Sequence, residues 1–288
     1  MARFNFLDSV SAHMSLISNV LVDGVSFKTN LDGGQDLSIP LSFSDRDPSL
    51  YGTPHATHRP FTADGLIGDT RLGGSCNVAT IELTPHCNGT HTECVGHVTT
   101  ERRFIHELLP TGLIPCTLIS VTPESILLAG ETSVPPVESE DILGLTARCV
   151  ASVLGESSPS WRRAVIIRTL PNLDLKKSAQ HTSNGVPFFT VEAIELLKRT
   201  GVEHILVDLP SLDRLHDHGK MAAHRTWWNI DSDSFDPNND IDALRTITEL
   251  IFVPDSVEDG LGFVSIQIPP FCSDAAPSRP IFFSAYPA

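Results

Sequence analysis

Hydrophobic positions along the chain fall into short runs separated by polar, turn-forming stretches. Residues 114–121 and 164–169 are apolar runs of strand length, and 204–209 reads as a buried strand. Before the last of these, Thr190 is placed to cap a helix with Val191, Ile194 and Leu197 on one face, and Gly201 ends it. Residues 139–154 show the three-to-four spacing of a helix through Ile142, Leu145, Cys149 and Val153. Residues 76–83, 246–253 and 263–269 read as further strands, 280–286 as a last one, and 102–110 as a short helix. Residues 36–43 alternate like a half-buried strand, with Pro40 pushing them toward a sheet edge. Residues 44–75 lack periodicity, which predicts a long loop at the rim of a site.

Strands and a few helices alternate without the regularity of a doubly wound fold. We therefore expect an α/β fold: a single domain with mixed, partly barrel-like β-sheets flanked by a few helices. Residues 36–288 form that domain. Residues 1–35, with a weakly helical start and a β-branched run at 19–27, are expected to be an N-terminal extension or oligomer arm.

Composition narrows the function. The 288 residues carry 20 Lys and Arg against 35 Asp and Glu, a net charge of −15 that repels phosphate backbones and anionic membrane surfaces. Nucleic acid and membranes are thus not expected as partners, whereas a small-molecule substrate is. No apolar run is long enough for a membrane span, and residues 1–8 lack the apolar core of a signal peptide, so a cytoplasmic location is expected. The six cysteines are scattered without CxxC pairs and are expected to be reduced thiols.

Candidate chemistry concentrates in His86-Cys87-Asn88-Gly89-Thr90-His91-Thr92-Glu93-Cys94-Val95-Gly96-His97, which holds three His, one Glu and two Cys. Imidazoles and carboxylates suit zinc or manganese, and in extended backbone His91 and Glu93 point to the same side. Its alternative is a solvated polar loop. His216, Asp217, His218, Lys220 and His224 follow the strand that ends at 208–213, where α/β proteins gather active-site groups. Glu249 shares a strand face with Ile247, Ile251 and Val253, and an unpaired buried carboxylate costs several kcal/mol, so it needs a metal or cationic partner unless the strand is an edge. There is no G-x-S-x-G elbow and no P-loop or dinucleotide fingerprint.

The segment Cys87 to His97 resembles the H-x-G-T-H-x-D-x-P-x-H hallmark of the cyclase-type metal-dependent hydrolases, the family of bacterial kynurenine formamidase and isatin hydrolase. Gly89-Thr90-His91 and His97 are in register; Cys87 stands in the first His slot with His86 beside it, Glu93 replaces Asp, and Val95 replaces Pro. Asp208-Leu209-Pro210-Ser211-Leu212-Asp213 is similar to the family's D-T-P-S-x-D, His224 to the following His, and Thr248-Glu249-Leu250 to its E-N-L after an insertion at 227–242. The resemblance implies one or two divalent ions, zinc or manganese, with His91, Glu93 and either His86 or Cys87 at the first, and Glu93, His224 and Glu249 at the second. His86 is the favoured ligand, because a bulge beside a glycine absorbs one residue. By the same resemblance His97 is the proton shuttle, and a homodimer or homotetramer is expected. Tyr51, Phe61 and Trp227 are candidates for an aromatic substrate pocket. The implied activity is hydrolysis of a small amide, cyclic amide, N-formyl compound or ester. Its rival is a catalytically retired member acting as a binding or interaction protein, whose site residues would be dispersed or paired to arginine.

Overall fold

The computed structural model describes residues 16–183, 185–237 and 240–288. The expected helical start lies outside these residues, as does part of the insertion at 227–242.

Nine strands form one mixed sheet curled into a half-barrel. In chain order they are β1 (Gln35–Asp36), β2 (His91–Cys94), β3 (Ile114–Val121), β4 (Ala164–Thr169), β5 (His204–Val207), β6 (Thr246–Glu249), β7 (Gly260–Gln267), β8 (Ala275–Pro277) and β9 (Arg279–Ser284). Across the sheet they run β8-β2-β6-β5-β4-β3-β7-β9-β1. The four central strands β6, β5, β4 and β3 are parallel, and each outer pairing is antiparallel. The central strands are rich in β-branched residues and buried along their length, as expected for parallel strands covered on both faces.

Period-two alternation divides the core. Val165, Ile167, Ile205, Val207 and Ile247 face three helices: α1 (Ala147–Leu154), α2 (Val191–Arg199) and α3 (Ala222–Trp228). Leu118, Ala164, Ile166, Leu206, Val264 and Phe282 pack with Leu37 on the other face. Among the described residues no helix is long and apolar enough to cross a membrane.

The αβ unit read from Thr190 is present, with the Thr190 hydroxyl accepting from the Ala193 amide at 3.2 Å and Lys198 and Arg199 complementing the negative C-terminal end of the helix. The helix expected over 139–154 is shorter. Leu143–Leu145 is instead a strand paired with Phe188–Phe189, and Thr146 caps α1 by accepting from the Cys149 amide. The capping hydroxyl resets the phase, so Val150 and Leu154 are buried while Val153 is exposed.

A second difference matters more. The strand expected over 246–253 stops at Glu249, because Leu250 adopts a left-handed conformation with φ +54°. Alternation breaks there, and Ile251 and Val253 turn into the core on the far face of the sheet from Ile247. The segment 44–75 also carries local order, including the short strand Thr57–Pro60 paired with Ala79–Glu82. The strand expected over 36–43 is reduced to β1 and a single bridge from Ser38 to Ile251.

The run at 19–27 forms the hairpin Ile17–Val22 with Val25–Asn30, turned at Asp23-Gly24, both with positive φ. Val22 and Phe27 pack it against Trp161 and Phe263 of the main body.

His204, on β5, is buried, and its Nδ1 lies 2.8 Å from the Thr246 hydroxyl. Burial lowers its pKa to about 4. The unfolded chain takes up a proton below pH ~6.5 that the folded chain refuses until pH falls to about 4, so folding stability is lost over that window. We expect urea unfolding to show a fall of roughly 3 kcal/mol from this residue between pH 6.5 and 4. The pH dependence should be shallower in His204→Asn.

Candidate metal centre

The site lies on the helix-covered face of the sheet, where β2 and β6 pair. Register places His91 opposite Glu249 and Glu93 opposite Ile247, so His91, Glu93 and Glu249 emerge on one face. On the reverse face the hydroxyls of Thr92 and Thr248 meet at 2.8 Å, pinning that register. Two backbone devices deliver the strands. Gly89 has φ +124°, a conformation that side chains disfavour, and a Cβ there would press on Leu41. The Thr90 hydroxyl accepts from the Ile39 amide and donates to the Leu250 carbonyl, tying the motif loop to the left-handed turn that ends β6.

Helix α3 brings the next group. Asp213 accepts from the amides of Ala223 and His224 at the start of the helix, and its Oδ2 lies 2.6 Å from His224 Nδ1. His224 Nε2 is thereby aimed at Glu93 Oε1, 2.9 Å away, and lies 3.6 Å from Glu249 Oε1. Glu249 Oε1 also accepts from the Leu212 amide at 2.8 Å. His91 donates from Nδ1 to the Gly89 carbonyl at 3.0 Å, which leaves Nε2 facing Glu249 Oε2 at 3.4 Å.

On the other side of Glu93, His86 Nδ1 lies 2.9 Å from Oε2 and His97 Nε2 lies 3.9 Å from it. The two imidazoles stack with centroids 4.1 Å apart. Behind them stands Asp274, whose Oδ2 is 2.8 Å from His86 Nε2 and 3.4 Å from His97 Nδ1.

Glu93 therefore belongs to two three-residue groups, His86/Glu93/His97 and Glu93/His224/Glu249, each offering donor atoms within 4.8 Å of one another. Burial alone would raise the pKa of Glu93, but His97, His224 and His86 outweigh it and hold the group ionised. Burial disfavours the imidazolium of His86, yet Asp274 and Glu93 lift its pKa to about 10. Hydrogen bonds from His86 and His97 hold Asp274 far below the usual carboxylate range.

The donor set fits a divalent ion. His91 Nε2 is buried, 3.4 Å from Glu249 Oε2 and without a partner in hydrogen-bonding geometry, a costly state for a polar atom unless something else satisfies its lone pair. Mixed imidazole and carboxylate donors suit zinc or manganese.

Of the expected ligands, Glu93, His224 and Glu249 come together in one group. In the other, His97, expected as a proton shuttle, accompanies His86 and Glu93, while His91 faces Glu249. Cys87 is in neither group among the described residues. Its side chain packs with Ile39, Leu50, Leu215 and Leu250.

The cluster floors a cavity of about 460 Å³ lined also by Leu50, Tyr51, Arg214, Leu215, Asp217 and Met221. Tyr51 is half exposed at this wall, and burial together with the carboxylates of Glu249, Asp217 and Asp213 pushes its phenol up to about 12, so it stays protonated. The other two pocket aromatics are elsewhere. Trp227 is fully buried in the helix-side core beneath the Arg245 guanidinium, because its position in α3 points it into the sheet. Phe61 is exposed beside a peripheral hairpin, held by backbone bonds to Val78 and Gly68, and does not line the cavity.

Asp213 and Asp274, which back the imidazoles of the cluster, are the two of its residues to which the sequence assigns no role. Asp213 was within reach, since it closes the segment at 208–213. Asp274 carries no signal in sequence and is brought in by β8, whose pairing with β2 places it one residue before the edge strand.

The chain belongs to the family described as "Putative cyclase", whose model matches residues 35–214. Its fold is similar to that of a protein described as a predicted metal-dependent hydrolase from Bacillus stearothermophilus, at 16% identity and TM-score 0.55, covering 87% of this chain and 97% of that one. It is also similar to an isatin hydrolase bound to the product analogue thioisatinate, at 15% identity and TM-score 0.58, covering 88% and 93%. Isatin hydrolase A from Labrenzia aggregata, bound to benzyl benzoate, matches at 16% identity and TM-score 0.58, covering 87% and 93%. No functionally curated protein matches the sequence.

Because Asp274 holds the outer nitrogen of His86, Asp274→Ala should weaken zinc binding about 10–100-fold in competition with a chelating dye. Zinc must displace the proton on His86, so calorimetry in buffers of differing ionisation enthalpy should show proton release at pH 7, and affinity should rise with pH.

Proposed function

We propose that the chain is a metal-dependent hydrolase that cleaves a small amide, cyclic amide, N-formyl compound or ester, in the manner of kynurenine formamidases and isatin hydrolases. The observation that carries this reading is the single buried carboxylate of Glu93 shared by two groups of donors at the floor of a cavity. Its volume of about 460 Å³ suits a small molecule.

His86, Glu93, His224, Glu249 and His91 would hold one or two ions, zinc or manganese. A bound divalent ion supplies Lewis acidity, acidifying water and polarising a carbonyl. The protein's own side chains do the rest. Asp213 and Gly89 fix the tautomers of His224 and His91, so each presents Nε2 inward. Leu50, Cys87, Leu215 and Met221 form an apolar wall that limits water around the reacting bond. His97 is about a quarter exposed at the cavity and backed by Asp274, which suits it to pass a proton to the leaving nitrogen or oxygen. Hydrolysis adds water's hydroxyl to the acyl carbon as the C–N or C–O bond breaks, and the leaving group takes the proton.

The retired-member reading requires dispersed or arginine-paired residues. Among the described residues the cluster converges, and no Arg or Lys forms an ion pair with Glu93, Glu249 or Asp274.

Elemental analysis of protein purified without chelator or histidine tag should find one or two zinc or manganese ions per chain. Glu93→Ala should keep the circular dichroism of the wild type but lose metal and lose turnover of formamides, lactams and esters. A chain that stays metal-free after both metals are added back, or undiminished turnover in Glu93→Ala, would sink the proposal.

A further inference from the structure

The charged groups lining the cavity can be accounted for one by one. Glu93 meets His86 and His224. Glu249 meets His91 and the Leu212 amide. Asp213 is taken up by His224 and the start of α3. Asp217 accepts from the amides of Gly219 and Met221. His86 and His97 are both backed by Asp274.

Arg214 stands apart. It lines the cavity, its Nε is buried without a hydrogen-bond partner, and among the described residues no carboxylate forms an ion pair with it. Among the described residues it is the one Arg or Lys in the cavity wall. The side chain is half-buried, with Nε shut off from water and the group open to the cavity. A buried donor without a partner is costly, and a planar anion entering the cavity relieves that cost through paired N–H donors. Its chain position fixes it there: Asp213 on one side is locked to His224, and Leu215 on the other is buried in the apolar cluster with Cys87 and Leu50.

From this juxtaposition we infer that Arg214 binds a carboxylate carried by the substrate, so that the preferred substrates are acids: amides, N-formyl compounds or esters bearing a free carboxylate away from the bond that is cleaved. The apolar wall of Leu50, Leu215 and Met221 takes the body of the molecule, and Arg214 sets which end faces the metal cluster. Arg214 is thereby a specificity residue rather than a participant in bond cleavage. The inference rests on the hydrolase reading for the phrase "substrate", but the recognition of a carboxylate does not require turnover.

The test compares N-formylphenylalanine with N-formylphenylalaninamide, which share the formamide bond and differ in the carboxylate. Formate release by the metal-loaded wild type should favour the acid. The ratio of kcat/KM for acid over amide should fall on the order of a hundredfold in Arg214→Gln and less in Arg214→Lys. Calorimetric binding of both compounds is measured alongside. If neither is hydrolysed, but the acid binds more tightly than the amide and Arg214→Gln abolishes the difference, carboxylate recognition stands while the formamide-cleaving reading falls. An acid-to-amide ratio that Arg214→Gln leaves unchanged, equal affinities in the wild type, or no binding of either compound at millimolar concentration would overturn the role of Arg214.

Discussion

An ionised carboxylate cannot be carried into a protein interior without being compensated, and Glu93 is almost wholly withdrawn from solvent. The architecture around it is a set of answers to that constraint. Its two oxygens face opposite ways, one toward His224 and one toward His86, and the segments that bring those imidazoles are unrelated in the chain. Each imidazole is then held by a further acid, Asp213 or Asp274. The sheet, the start of α3 and the edge strand β8 are thus tied to one another through a single side chain.

The left-handed turn at Leu250 lets one short segment serve two environments. Up to Glu249 the strand addresses the helix face and the His/Glu cluster; beyond it, Ile251 and Val253 supply the opposite core. A non-glycine residue in that conformation costs about 1–2 kcal/mol, and here the Thr90 hydroxyl, the Leu209 carbonyl and the burial of Leu250 itself hold it in place. Strain of this kind persists only where the surroundings over-determine it.

Much of this was legible because it follows from local periodicity. The shared face of His91 and Glu93, the Thr190 cap with its amphipathic helix, and the central strands at 114–121 and 164–169 all follow from spacing and capping chemistry. Two failures have the same origin: an interruption that periodicity cannot register. Thr146 restarted the phase inside 139–154, and Leu250 did so inside 246–253. Trp227 was read as a pocket residue, yet an indole's bulk serves a core equally well, and only the helix azimuth decides between them. The pairing of His86 and His97 with Asp274 depends on an edge strand docking from far along the chain, so no local pattern could announce it. Likewise Cys87, aligned with a ligand slot, is turned into apolar packing while its neighbour His86 faces Glu93.

The 188 positions separating His86 from Asp274 bear on the order in which the centre comes into being. During synthesis the histidine-rich motif leaves the ribosome with most of the sheet still unmade, and closing so large a loop is among the slowest steps a chain of this topology faces. The acid behind His86 and His97 comes from the residue just before β8, so the group is complete only where β8 is paired with β2. The outer half of the centre thus hangs on the pairing of the half-barrel's edge strand, and whatever loosens β8 also removes the acid behind both imidazoles.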